Sequence, residues 1–344
     1  MRRMVMVVMA LAAVVLAGRM PAAAQAQWSV TKTVQIGGEG SWDYVTMDAA
    51  GHRLFVTRST HTMAIDTATG KVLGDVEGQT RSHGTAIVPE LGRGFITDGG
   101  GKGMIEIFDL ETYQVLGMLA TMPDSDGIIY DKGTNLVVAV SGDGNKLMTL
   151  KPGLDPLNGR MDEPIDLGGS PEFLAADGAG KVYVALADKD MVAVVDLNTR
   201  EVTARWPVAP GGHPTGLALD AKRHLLFIGC RNPQKLIVMS TDTGKVVAAL
   251  PIGAGVDAVK LDGDQAFASC GDGTLTVAGE KAGEWVVEQV VKTPEGARTM
   301  GVDETTHTIY LPTAEFVPAA PGAASKRPQM KPDTFMIVEV GRTE

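Results

Sequence analysis

"RLFVTRSTHTMAIDTATGKV", residues 53–72, contains two short apolar runs, separated by a polar break and ended by a tight turn. The first run returns six more times: "RGFIT" (93–97), "NLVVA" (135–139), "KVYVA" (181–185), "LLFIG" (225–229), "QAFAS" (265–269) and "TIYLP" (308–312). The anchor residues Phe55, Phe95, Val137, Tyr183, Phe227, Phe267 and Tyr310 are 40, 42, 46, 44, 40 and 43 residues apart. The turn "IDTATGKV" (65–72) has relatives in "FDLETYQV" (108–115), "VDLNTREV" (195–202) and "STDTGKV" (240–246).

Each anchor run follows another apolar stretch that ends at a turn acid, as in "YVTMDAAG" (44–51), "FLAADGAG" (173–180) and "GLALDAKR" (216–223). A third stretch such as "MVAVVD" (191–196) and a fourth such as "VVAALPI" (246–252) come after it. Runs of this length, rich in Val, Ile, Phe and Ala and bounded by Gly, Asp and Asn, read as strands. Four strands in about 40 residues are the signature of a propeller blade. The repeated turn is then the hairpin between third and fourth strands. Its Asp accepts a backbone N–H hydrogen bond and its Gly takes positive φ, so the chain reverses without strain.

A chain of 344 residues exceeds the usual size of a single core, and the repeats favour one large β architecture over two domains. The segment "SVTKTVQIGG" (29–38) resembles a fourth strand with no first three before it, and little follows "FMIVEV" (335–340). The expectation is an all-β, seven-bladed β-propeller of four-stranded blades, closed where the N-terminal strand joins the last blade. No helix longer than a turn or two is called for.

Arg2 and Arg3 precede an apolar run from Met4 to about Ala17, followed by small residues that include Ala24-Gln25-Ala26. This pattern reads as a signal peptide over 1–26 with cleavage after Ala26, leaving 27–344 as one domain in the periplasm or secreted. No later run is apolar for roughly 18 residues, so no membrane span is expected. Losing Arg2, Arg3 and Arg19 takes the formal balance from −10 to −13, a charge that repels phosphate backbones and argues against nucleic acid as a partner.

The recurring "RLFVT … IDTATGKV" pattern resembles the YVTN-type repeat of the YncE-like family of bacterial β-propellers, over essentially the whole chain after residue 26. "IYLPTAEF", the Pro/Ala-rich stretch and "TFMIVEVG" are also similar to exported members of that family. The resemblance implies the seven-bladed fold. It implies little about activity, because such propellers serve as lactonases, cofactor-binding domains and binding platforms.

In a propeller, the starts of the first strands share a face with the loops between second and third strands, at the mouth of the channel. Counting back from the turn acids puts Asp43, His83, Asp126, Glu172, His213 with Thr215, Asp257 and Arg298 at this mouth. Such a group could hold a divalent cation. It could instead run acid–base chemistry, with Arg298 stabilising an oxyanion, or its members could simply pair with one another. No local metal-ligand spacing supports the first option.

Residues 313–334, "TAEFVPAAPGAASKRPQMKPDT", form an insertion between the second and third strands of blade seven, read either as a flap over the mouth or as a solvated decoration. Its prolines should prevent ladder pairing. Cys230 and Cys270 occupy one register position in adjacent blades. Export favours a disulfide, but sheets packed roughly 10 Å apart favour two free thiols. Without C-x-x-C-H no covalent haem is expected. "GGGKG" (99–103) is a hairpin turn rather than a phosphate cradle, and neither G-x-S-x-G nor H-E-x-x-H occurs.

The leading reading is an exported non-catalytic binding propeller that recognises a small polar ligand or a protein at the channel mouth. The alternatives are a lactone or ester hydrolase, metal-assisted or not, with its site in the same funnel, and an interaction scaffold. Oligomeric state has no signal.

Overall fold

The computed structural model describes residues 27–318 and 329–343. The signal segment, its cleavage point at Ala26 and the tip of the insertion lie outside these residues. All seven repeated runs are strands: Arg53–Thr57, Arg93–Asp98, Leu136–Ser141, Lys181–Leu186, Leu225–Arg231, Gln265–Cys270 and Thr308–Thr313. They are buried on both faces because each sheet is packed between two others, which is why they read as continuous apolar runs. Outer strands such as Glu201–Pro207 alternate exposed and half-buried residues.

The strands form five four-stranded antiparallel sheets, one seven-stranded sheet and a two-stranded ribbon. In four of the five four-stranded sheets the order follows the chain, as in Pro171–Ala176, Lys181–Leu186, Met191–Asp196 and Glu201–Pro207. Among the described residues the only helices are the single 3-10 turns Pro89–Leu91 and Ala187–Lys189. The first stands where Pro89 replaces the turn acid of the second repeat. No described helix is long and apolar enough to cross a membrane.

The seven-stranded sheet departs from the expected separate blades. Val72–Val88 is one 17-residue strand that pairs first with Ser59–Asp66 and then with Arg93–Asp98. Nothing in "QTRSH" (79–83) breaks an extended chain, so the outer strand of one repeat runs on into the inner strand of the next. Register shifts between Ser59 and His61 and between Ser82 and Thr85 turn it from one partner to the other.

Gln27–Gln35 pairs antiparallel with Met336–Thr343, Gln27 opposite Thr343 and Gln35 opposite Met336. The sheet of the last repeat therefore takes its outermost strand from the other end of the described chain. Trp28, 2% exposed, packs edge-on against Phe267 at 4.8 Å and donates from Nε1 to Gln265 at 2.8 Å, fastening this strand to the neighbouring sheet. The innermost strands contact one another in chain order, and the last, Gly301–Asp303, contacts Val45–Asp48 of the first repeat.

The hairpin chemistry is as expected. Asp66 accepts from the Thr69 N–H at 2.7 Å, and Gly70 takes φ 71°. In the relatives the left-handed position falls to Tyr113 (φ 59°), Arg200 (φ 61°) and Gly244 (φ 66°). The carboxyls of Asp66, Asp109 and Asp196 are held below the usual range by these turn hydrogen bonds.

Cys230 and Cys270 are both buried free thiols, pushed up to about 12 by burial. The insertion differs from expectation in one respect. Despite its prolines, its base pairs as a short ribbon, Phe316 opposite Met330 and Val317 opposite Gln329, because no proline occupies those positions.

Candidate functional site

A cavity of about 930 Å³ opens where the innermost strands begin. Asp43, His83, Asp126, Glu172, Asp257 and Arg298 all line it, so six of the residues placed there by register converge across the whole chain. His213 does not. It is exposed, takes φ 50°, and its N–H donates to Asp190 at 2.6 Å, outside the cavity wall. Thr215 is buried beside it. The second-strand register position one past Cys230 supplies Arg231 to the wall instead.

Local backbone irregularity aims these side chains. His83 lies in the register shift between Ser82 and Thr85, Asp126 in the shift opposite Ala139–Ser141, Glu172 between Pro171 and Leu174, and Asp257 between Val256 and Ala258. A bulge at the start of an inner strand releases a residue from the ladder and re-aims its side chain, here into the channel mouth. Neighbouring inner strands approach closely at these points. A Cβ on Gly127 would meet the Glu172 carbonyl at 2.9 Å.

Hydroxyls at the ends of second strands hold the bulges in place. Thr57 Oγ1 donates to the His83 carbonyl at 2.6 Å, Thr97 Oγ1 to that of Asp126, and Ser269 Oγ to that of Arg298. The recurring Thr or Ser that ends "RLFVT", "RGFIT" and "QAFAS" thus ties one repeat to the site residue of the next.

The charges fall into two groups. Asp257, 7% exposed, receives Arg298 Nε at 2.7 Å and also Arg231 Nη2, while Arg298 Nη2 donates to the Trp42 carbonyl at 3.1 Å. Burial nevertheless raises the Asp257 carboxyl, against the pull of the two guanidiniums. Asp124 is paired with Arg81 at 2.7 Å.

The remaining acids have far less compensation. His83 Nδ1 is 2.6 Å from Asp43 Oδ2 and 3.4 Å from Asp126 Oδ1. Burial would lower the imidazole, but the Asp43 hydrogen bond and the charges of Asp126 and Asp43 hold it above its ordinary value. Burial drives the Asp126 carboxyl well up, with Asp43, Glu172 and Asp124 adding repulsion and His83 opposing. Glu172 rises to about 7, chiefly by burial, with Arg231 pulling down and Asp257 and Asp43 pushing up. Asp43 and Asp126 therefore share one imidazole, while Glu172 feels the charge of Arg231. His83 Nε2, Asp126 Oδ1 and the Tyr44 hydroxyl are buried with no hydrogen-bond partner among the described residues.

Aromatic rings floor the cavity. Tyr44 and Phe173 stack with centroids 4.3 Å apart, and both also line a second cavity of about 500 Å³ further along the inner strands. The stacked pair thus lies where the two spaces meet. Phe316 and Met330 of the insertion line the mouth, Phe316 tilted against Trp42 at 6.0 Å, so the base of the insertion sits on the site.

Register reasoning missed Arg231, Arg81 and the aromatics. Trp42 and Tyr44 flank Asp43 in sequence and Phe173 follows Glu172, which was the available signal. Arg231 carried none, because its role depends on Asp257 lying next to it in space.

No protein-family model and no curated protein matches this sequence. Solved structures do. The WD40 repeats of RRP9 superpose with a TM-score of 0.76 at 11% identity, covering 92% of this chain and 100% of that chain. The WD40 β-propeller domain of Doa1 gives 0.69 at 14%, covering 92% and 98%. Kuenenia stuttgartiensis hydrazine synthase gives 0.69 at 12%, covering 80% and 94%. The agreement at such low identity lies in the backbone arrangement, and by fold this chain is a β-propeller.

Proposed function

We propose that the protein is an exported, non-catalytic binding propeller of the YncE-like type, a single domain of seven blades. In this reading the ring is closed by the N-terminal strand, and the channel mouth takes a small polar ligand. Seven repeated strands and the pairing of Gln27–Gln35 with Met336–Thr343 support the blade count and the closure. Arg2, Arg3 and the apolar run to Ala17 support export.

The observation that carries the ligand reading is the cavity itself. At about 930 Å³ it has the size of a small-molecule site, an aromatic floor and convergent charged groups, and Phe316 and Met330 lie at its rim. The Arg231–Asp257–Arg298 cluster presents fixed N–H donors for an acidic or carbonyl-bearing group, and the Asp43–His83–Asp126–Glu172 side presents acceptors for donors. A ligand with both kinds of group fits the mouth best.

The test is native mass spectrometry of protein isolated from its own host, with and without the Arg298→Ala and Arg231→Ala changes. A retained mass in the wild-type protein that both variants lose is expected. Equal retention in both variants refutes the mouth as the site. Conversion of the retained molecule on incubation would replace binding with catalysis.

A further inference from the structure

We propose that Asp43, His83 and Asp126 form a binding site for one divalent transition-metal cation of the zinc or manganese kind, built into the wall of the channel mouth. Each offers one ligand atom, and the three atoms lie within 4.8 Å of one another. They come from three successive repeats: Asp43 just ahead of the first inner strand, and His83 and Asp126 from bulges in the inner strands of the next two.

The geometry favours a metal over a proton at this point. A proton on His83 Nδ1 serves one acceptor, and it serves Asp43 at 2.6 Å. Asp126 Oδ1 is then left 3.4 Å from the same nitrogen, buried and without a hydrogen bond. Leaving a buried carboxylate oxygen unpaired is costly. A tetrahedral ion with bonds of about 2.1 Å places its ligand atoms about 3.4 Å apart, the separation already present between Nδ1 and Asp126 Oδ1. Replacing the proton requires the Asp43 contact to lengthen by roughly 0.8 Å, within reach of a side-chain rotation.

Charge balance points the same way. Asp257 is paired with two guanidiniums and Asp124 with Arg81, whereas Asp43 and Asp126 have only His83 as an ion-pair partner among the described residues. A dication bound there would displace any proton these groups hold and would itself supply the missing counter-charge. One imidazole nitrogen with two carboxylates suits zinc or manganese better than calcium or magnesium, which prefer oxygen throughout.

The cation site uses three side chains of the acceptor side of the mouth and therefore shares one wall with the organic ligand proposed above, while Arg231 and Arg298 on the other side take no part in it. Isothermal titration of chelator-stripped full-length protein with Zn²⁺, Mn²⁺ and Ca²⁺ separately, with native mass spectrometry for stoichiometry, tests it. One Zn²⁺ or Mn²⁺ should bind per chain at micromolar Kd or tighter, and Ca²⁺ at least tenfold more weakly. Asp126→Asn and Asp43→Asn should each weaken Zn²⁺ binding at least tenfold while keeping the wild-type circular dichroism spectrum.

Arg298→Ala should lose the organic ligand yet keep Zn²⁺, which separates failure of one proposal from failure of the other. No one-to-one binding of either transition metal in the wild-type protein overturns the site. So does undiminished binding in a folded Asp126→Asn or Asp43→Asn variant, or a preference for Ca²⁺.

Discussion

Glu172 gives the sharpest test of how the mouth is built. Its carboxyl is moved from an ordinary 4.5 to about 7, mainly because the cavity wall shields it from water. The folded protein therefore holds this proton more tightly than the unfolded chain does. Stability from this group is full below about pH 4.5, falls as pH rises toward 7, and stays at the lower level above that.

At about 1.4 kcal/mol per tenfold change in proton affinity, the displacement corresponds to about 3 kcal/mol. Glu172 retains some exposure and Arg231 lies nearby, so an effect of 1–3 kcal/mol is the expected range. Glu172→Gln removes the charge and keeps the shape. The variant should be more stable than wild type by about 1–3 kcal/mol at pH 8, and the gap should close toward pH 4.5. For a domain of this size the gain corresponds to roughly 2–6 °C in Tm.

Urea unfolding of both proteins in chelator across that pH range measures the difference, and subtraction removes groups that titrate alike in both. Equal stability at pH 8, or a gap that does not change between pH 4.5 and 7, would refute the reasoning. A stabilised variant that also loses the retained ligand would show that the acid is kept for binding at the expense of folding.

Other substitutions test the frame that holds the site. Trp28→Ala removes a ring 2% exposed and its hydrogen bond to Gln265, and should cost about 3–5 kcal/mol in urea unfolding; a loss under about 1 kcal/mol would mean the N-terminal strand does not seal the fold. Arg58 is fully buried, its guanidinium 3.6 Å from the centre of the Phe335 ring and donating to the carbonyls of Gly38, Glu39 and Gly40 at 3.3, 2.7 and 3.0 Å. Lysine cannot span those acceptors, so Arg58→Lys should lower stability by about 2–4 kcal/mol, and an unchanged urea midpoint would contradict that role. Cys230 and Cys270, with thiols near 12, should resist Ellman's reagent in the folded protein and both react in urea without reductant; fewer than two reactive thiols in urea would reveal a disulfide.

Strand identity was legible in the sequence because it is a local property. The anchor runs from "RLFVT" to "TIYLP", the turn acids and the lone strand at 29–38 could be read from periodicity and turn chemistry over a few residues. Counting register from those turns was enough to gather Asp43, His83, Asp126, Glu172, Asp257 and Arg298 at one mouth. What the count could not supply was direction within the mouth. That depends on where each inner strand bulges, and a bulge reflects how closely neighbouring sheets approach.

His213 and Arg231 show the difference. Both flank the same inner-strand start, and only the packing of adjacent sheets decided that the imidazole turns out while the guanidinium reaches Asp257. The pairing of Arg298 with Trp42 spans 256 residues of chain, and the desolvation that raises Glu172 comes from walls contributed by several repeats. Repeat number and strand order follow from short-range chemistry. Which charges meet, and how strongly they are perturbed, follows from distances that exist only once the sheets have packed.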